Sequence, residues 1–243
     1  MIALLLNSGR GTRMGDETQE HPKCMCRLDE KDTIISWQVK LLAENGVREA
    51  VVTTGPFADM LKEHLEGLQS GIRFTYVPNP RYAETNYIYS MHLAREALRG
   101  QEVVSLHGDL VMAPEVMRRL LAADRSAVAV DSSLPLPEKD FKARVKDGRV
   151  RAIGVDCFGD DCVTSQPAYH FLPEDFERWM QEIDRLVARG EDRCYAENAF
   201  NAVWEEIPLY ALDMPGYLCS EIDNMEDKVR VCAQFAREVR KNL

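Results

Sequence analysis

The run Ile2–Leu6 is apolar at every position and is cut off by Asn7-Ser8-Gly9. A strand with no polar face must be covered on both sides, and helices packed above and below a sheet are the usual way to do that. This requirement constrains the fold more than any other feature of the 243 residues. The next 125 positions supply the helices. Ile35, Val39 and Leu42 recur at helical spacing before Gly46, as do Leu61, Leu65 and Leu68. Tyr87, Met91, Ala94 and Leu98 follow, with Thr85 or Asn86 as cap, and then Val116, Leu120 and Ala123. Between them, Glu49–Thr53, Arg73–Val77 (closed by Pro78), Glu102–Leu106 and Ser126–Val130 read as strands. Strand and helix in alternation predict a parallel, doubly wound sheet.

The second half is less regular. Phe141–Val145 and Val150–Val155 flank Lys146-Asp147-Gly148-Arg149, a hairpin signal. Helices are expected over 173–189 and 197–204, and Val229, Cys232, Ala236 and Val239 mark an amphipathic C-terminal helix. No repeat or linker divides the chain, so one domain is expected. Residues 1–130 or so would form a nucleotide-binding half and 131–243 an acceptor half.

The strand end carries the chemistry. Leu4 to Gly15 reads Leu-Leu-Leu-Asn-Ser-Gly-Arg-Gly-Thr-Arg-Met-Gly, and His21-Pro22-Lys23-Cys24-Met25 follows. Glycines let a backbone approach a phosphate and turn its N–H groups toward it. Arg13 and Lys23 can neutralise the rest of a triphosphate, which suggests nucleotidyl transfer. The glycine spacing fits neither a dinucleotide fingerprint nor a Walker loop. Without the two cations it would read as a tight surface turn.

Three further groups could join it. Asp109, in Ser105-Leu-His-Gly-Asp109, ends a central strand where ligands bind in such sheets, though Gly-Asp is also turn chemistry. In Cys219-Ser-Glu221-Ile-Asp223-Asn224, positions 221 and 223 share a face of an extended segment. With Asp109 they could hold Mg²⁺; alternatively Asp223 or Asn224 caps the last helix and Glu221 is solvated. Asn86, in Thr85-Asn86-Tyr87-Ile-Tyr89, offers an amide donor and acceptor that match a cytosine edge, or else simply caps its helix. His107 could shape the loop before Asp109, and His64 and His92 read as structural.

A net charge of −10 disfavours nucleic acid and anionic membrane, so an anionic ligand needs a local basic site. No stretch approaches the ~18 apolar residues of a membrane span. The seven scattered cysteines, at 24, 26, 157, 162, 194, 219 and 232, fit free thiols in a reducing cytoplasm rather than a zinc site.

Taken together, the glycine loop with Arg13 and Lys23, Thr85-Asn-Tyr-Ile-Tyr-Ser90, Asp109 and Glu221-Ile-Asp-Asn-Met-Glu-Asp227 resemble the sugar-phosphate nucleotidyltransferase superfamily. The likeness is nearest to its small cytidylyltransferases, including the bacterial choline-phosphate type, and covers nearly the whole chain. It implies a Rossmann-like GT-A α/β sandwich, with a mostly parallel central sheet and a smaller acceptor-side lobe of hairpin and helices. It also implies a CTP or other NTP donor, Mg²⁺ as cofactor and pyrophosphate as leaving group. Many relatives read Leu-Ala-Ala-Gly where this chain has Leu6-Asn7-Ser8-Gly9. That departure, with Pro22-Lys23-Cys24-Met25, looks like the branch that activates 2-aminoethylphosphonate as its CMP ester. Phosphocholine is the alternative acceptor, and a sugar phosphate is a more distant one.

The resemblance places Leu6, Asn7, Ser8, Gly9, Gly11, Thr12, Arg13 and Asn86 against the nucleotide. Backbone N–H groups of 8–12 would lie on the β- and γ-phosphates, Arg13 on the departing pyrophosphate, and Lys23 between the α-phosphate and the attacking oxygen. Asp109, Glu221 and Asp223 would hold the metal. Asp131, Tyr169 and Glu197 are the acceptor candidates, with Asp156, Asn198, Tyr195, Phe200 and Trp204 also available. The partners expected are therefore CTP and a small phosphonate or phosphate, with no nucleic acid or membrane; a homodimer stays open. A GT-A glycosyltransferase would share the sheet and acids without needing the cation cradle. A non-catalytic nucleotide sensor would not need every cation and acid.

Overall fold

The computed structural model describes residues 1–241, with side chains through Glu238; Val239, expected on the apolar face of the last helix, has its side chain outside the described residues. The parallel part of the sheet forms as the periodicities require. β1 (Ile2–Asn7), β2 (Glu49–Thr54), β3 (Arg73–Pro78) and β4 (Val103–His107) lie in the order β3-β2-β1-β4, all parallel. Ala3 and Leu5 of β1 enter one apolar cluster, and Ile2, Leu4 and Leu6 enter the other, so the central strand is covered on both faces.

The first cluster is built by α1 (Ile34–Glu44), α2 (Ala58–Gly67), α4 (Pro114–Leu121) and the last helix α7 (Met225–Lys241). The second is built by α3 (Tyr87–Leu98), α5 (Pro173–Ala188) and α6 (Glu197–Val203). Local chemistry sets the helix starts. Thr33 caps α1, its Oγ1 accepting from the Ser36 N–H at 3.1 Å while Ser36 Oγ accepts from the Thr33 N–H at 2.8 Å. Asn224 Oδ1 accepts from the Asp227 N–H at 3.0 Å and caps α7.

The sheet departs from a doubly wound parallel one in its second half. Among the described residues it has nine strands in the order β3-β2-β1-β4-β9-β6-β10-β8-β7. The long strand β9 (Cys162–Phe171) lies antiparallel between β4 and β6 (Ala127–Asp131), where the alternation predicts parallel strands. β6 then pairs in parallel with β10 (Tyr210–Asp213). Pro167 is the reason β9 is hard to read: a central strand seldom tolerates a residue without an N–H. Here the register against β6 slips between the Val128–Tyr169 and Val130–Ser165 pairs, and Pro167 sits in that irregularity, where the ladder makes no demand on it.

The hairpin signal holds. β7 (Lys142–Lys146) and β8 (Arg149–Gly154) are joined by Asp147 and Gly148, both at positive φ, 55° and 75°. Such a turn needs two residues that tolerate the left-handed region, which Asp-Gly supplies. A separate two-stranded ribbon pairs β5 (Leu110–Met112) with β11 (Cys219–Glu221). No helix among the described residues is long and apolar enough to cross a membrane.

Candidate active site

At the C-terminal edge of the parallel strands lies a cavity of about 380 Å³. Its floor is the end of β1 and the loop that follows. Gly11 has φ 64°, and a Cβ there would stand 3.1 Å from Lys23 Cβ, so only glycine lets the lysine segment close over the loop. At Gly9 a Cβ would meet nothing within 4 Å, and that open space belongs to the cavity. Beneath the loop, Ser8 Oγ and Ser90 Oγ are 2.5 Å apart, and Asn79 Nδ2 donates to Ser90 Oγ at 3.0 Å, which anchors the loop to α3.

A short 3-10 turn, Lys23–Met25, aims the lysine inward. Its Nζ donates to Asp109 Oδ2 and to Asp223 Oδ1, both at 2.6 Å. Arg13 Nη2 reaches the same Asp223 oxygen at 2.9 Å, and its side chain is 73% exposed at the mouth. The β5–β11 ribbon brings these distant acids together: Glu221 pairs with Leu110, and the Ile222 N–H donates to the Asp109 carbonyl at 3.0 Å.

Burial alone would lower the Lys23 pKa, but the Asp109 and Asp223 charges more than offset it and hold it above its ordinary value. Burial pulls Asp109 up, yet Lys23 and then His107 carry it below the usual carboxylate range. Glu221 is pushed up by burial and by the Asp109 charge, and His107 up by its bond to Glu221, which prevails over desolvation. His107 Nδ1 and Glu221 Oε1 are 3.2 Å apart.

Among the described residues, His107, Asp109 and Glu221 bring their ligand atoms within 4.8 Å of one another. Asp223, the other acid expected at the metal, lies against the same Lys23 ammonium as Asp109. Three buried polar atoms beside this group have no hydrogen-bond partner: Asp109 Oδ1 and both side-chain atoms of Asn7. Asn7 Oδ1 lies so near the β4–β5 turn that a Cβ on Gly108 would be 1.9 Å from it.

Leu6, Asn7, Ser8, Gly9, Gly11, Thr12, Arg13, Lys23, Asn86, Asp109, Glu221 and Asp223 all line the cavity. Asn86 also caps α3, its Oδ1 accepting from the Tyr87 N–H at 2.8 Å. The three acceptor candidates do not line it. Asp131 is engaged at the end of β6, accepting from the Ser133 N–H at 2.8 Å and its hydroxyl at 2.6 Å. Glu197 and Tyr169 form a buried layer behind the wall: Tyr169 donates to Glu197 Oε1 at 2.7 Å, and the cavity-lining Tyr87 donates to Oε2. Burial and the Glu197 charge raise both phenols well above the ordinary value.

In place of those candidates the wall presents Tyr82, Tyr87, Tyr195, Asp140 and Phe141. Phe141 meets Tyr195 edge-on at 5.0 Å, and Tyr195 lies 6.0 Å from Tyr87. Only Tyr195 was among the sequence candidates for this side. Asp140 and Phe141 could have been found from the Pro135- and Pro137-containing segment that leaves the C-terminal end of β6, the edge at which such sheets bind ligands.

A family model described as a MobA-like NTP transferase domain matches residues 3–142. A CMP-5'-(3-aminopropyl)phosphonate synthase of Streptomyces rubellomurinus is 36% identical over 134 residues, 55% of this chain and 21% of that protein. The choline-phosphate cytidylyltransferase of Streptococcus pneumoniae is 26% identical, covering 93% of this chain and 95% of that one. The CTP:phosphoglutamine cytidylyltransferase of Campylobacter jejuni is 27% identical over 93% and 97%. Among solved structures, the S. pneumoniae CTP:phosphocholine cytidylyltransferase superposes with a TM-score of 0.79 at 20% identity, over 96% of this chain and 99% of that one. That likeness bears on the fold, a mixed α/β sandwich.

Proposed function

The chain belongs to the MobA-like NTP transferase domain family, and from that premise we propose that it is a cytidylyltransferase joining CMP to the phosphonate oxygen of 2-aminoethylphosphonate. The observation that carries this reading is Lys23, held at 2.6 Å by both Asp109 and Asp223 beside a glycine loop whose Gly9 faces open space. That arrangement suits an enzyme that must bring an anionic acceptor against an anionic phosphate.

The acceptor oxygen, already ionised, attacks the α-phosphorus of CTP in line. The bond from α-phosphorus to the bridging oxygen breaks, and pyrophosphate departs with that electron pair. No general base is required, so catalysis is positioning and charge neutralisation. Backbone N–H groups of 8–12 bind the β- and γ-phosphates, and Arg13, exposed at the mouth, follows the pyrophosphate. Lys23 leaves its carboxylates for the α-phosphate and the incoming oxygen.

The residues fit Mg²⁺: Asp109, Glu221 and Asp223 offer hard oxygen donors, and Asp109 Oδ1 is buried with no partner. When bound, the ion supplies charge neutralisation at the phosphates. Until then Lys23 is the counter-charge that holds Asp109 and Asp223 together.

At the acceptor's amine end, Asp140 favours a primary ammonium, and the 36% identity to an aminoalkylphosphonate-CMP synthase supports the same choice. The Tyr87–Tyr195–Phe141 wall favours a second reading, phosphocholine, because quaternary ammonium groups bind aromatic faces. The test is pyrophosphate release with CTP and Mg²⁺, comparing the two acceptors at equal concentration. Preference for 2-aminoethylphosphonate upholds the first reading, preference for phosphocholine the second, and silence with both overturns both and returns the acceptor and the donor base to question.

A further inference from the structure

Lys142 begins β7 with a strand on each side, paired with Gly154 of β8 and Thr164 of β9, and it is 0% exposed. A buried ammonium must find partners for three N–H bonds. Its partners here are carbonyls and a ring rather than a carboxylate. Nζ donates to the Pro137 carbonyl at 2.7 Å and to the Asp140 carbonyl at 3.0 Å, and it lies 4.2 Å from the centre of the Phe158 ring.

Those carbonyls belong to the segment that runs from β6 to β7 across 132–141. Pro135 and Pro137 keep it out of any ladder, so its oxygens need other donors. The segment is tied down stepwise. Ser132 donates through its N–H and hydroxyl to Asp213, at 3.0 and 2.6 Å, and Thr164 Oγ1 donates to the Pro135 carbonyl at 3.2 Å. Lys142 closes the last stretch, which carries Asp140 and Phe141 to the cavity wall.

We propose that Lys142 is a positioning residue: its buried ammonium holds 137–141 so that Asp140 and Phe141 face the cationic end of the acceptor. The claim rests on the cytidylyltransferase reading above for the word acceptor, but not for the clamp itself. Pairing of β7 on both edges makes the lysine a fixed post, and the two carbonyls it binds lie in the stretch that leads into Asp140 and Phe141. Lys142 itself does not line the cavity.

The test uses Lys142→Met, which keeps the stem and removes the donors, and Phe158→Leu, which removes only the ring. Amide hydrogen exchange over 132–141 reads the clamp, and steady-state kinetics read its consequence. In Lys142→Met, exchange in 137–141 accelerates while β1 and β4 are unchanged. The KM for the acceptor rises about tenfold or more, and the KM for CTP stays within about twofold. Phe158→Leu moves both readouts the same way by less, and decides the matter if Lys142→Met does not fold. Unchanged exchange overturns the clamp. Faster exchange with an unchanged acceptor KM overturns the positioning role. If the wild type releases no pyrophosphate with either acceptor, the functional reading fails and the acceptor role falls with it, while the exchange result still decides the clamp.

Discussion

Lys23→Met removes one cation from between two carboxylates and leaves the stem in place. The Lys23 side chain is 13% exposed, and those of Asp109 and Asp223 are 20% and 17% exposed. At an effective dielectric of about 20, two unit charges some 4 Å apart attract by about 4 kcal/mol, much of it offset by the loss of hydration. Breaking a largely buried pair on one side costs about 3–5 kcal/mol, because the surviving charges lose their partner. The metal-free variant is therefore markedly less stable than the wild type at neutral pH. If Mg²⁺ is held by these acids as proposed, it supplies the missing charge and raises the Tm of the variant more than that of the wild type. The difference also depends on pH. Asp109, depressed in the folded wild type, contributes stability above its unfolded pKa of 3.8 that is lost as pH falls through the folded value. In the variant the largest opposition to burial is gone, with His107 still acting, and the carboxyl takes up a proton sooner, so the stability gap narrows as the pH is lowered toward that of an ordinary carboxyl. Turnover falls about 10²–10³-fold, the usual loss for one positioned donor to a developing charge. The KM for CTP changes far less, since in the free enzyme Lys23 is committed to the acids. Thermal melts with and without Mg²⁺ across pH, with pyrophosphate-release kinetics, test each part. A kcat within threefold of the wild type, or an Mg²⁺ shift no larger than in the wild type, would refute the role given to Lys23 here.

Three other outcomes are expected. In Gly55→Ala the new Cβ would lie 2.2 Å from the Ser8 carbonyl oxygen, a backbone clash that displaces the glycine loop; stability drops by about 1–3 kcal/mol and the KM for CTP rises, and an unchanged CTP KM would show that the loop does not bind nucleotide. His64 has its pKa lowered by burial and then by Arg27, so the folded state resists protonation and stability is lost as pH falls below the unfolded value near 6.5. His64→Gln should flatten the pH dependence of the urea midpoint in that window, and an equally steep profile argues against the assignment. Cys24 is 3% exposed, and burial, reinforced by Cys26, pushes its thiol well up; mass mapping after a thiol-reactive dye should find it unlabelled in the native protein and labelled in urea, whereas native labelling would contradict its place in the core.

Much of this was legible in the linear chain because it is encoded locally. The apolar run of β1, the helical periods of α1 to α4, the Asp147-Gly148 turn and the Asn224 cap each depend on residues within a few positions of one another. The glycine loop, Arg13 and Lys23 belong to the same class, and they reach the cavity because they follow directly from the edge of β1. What tertiary structure alone decided is which distant segments meet. β9 enters between β4 and β6 despite Pro167, because the irregular register there spares the missing N–H. The β5–β11 ribbon carries Glu221 to His107 and leaves Asp223 with Lys23, a division of acids that no spacing reveals. Glu197 and Tyr169 carry polar chemistry in sequence, yet they satisfy each other in the core, while Asp140 and Phe141, unremarkable in sequence, are swung to the wall by a segment tied to Lys142. Periodicity tells a residue which face of its own element it occupies. Only the packing of those faces on one another decides whether that face looks into a cavity or into the core.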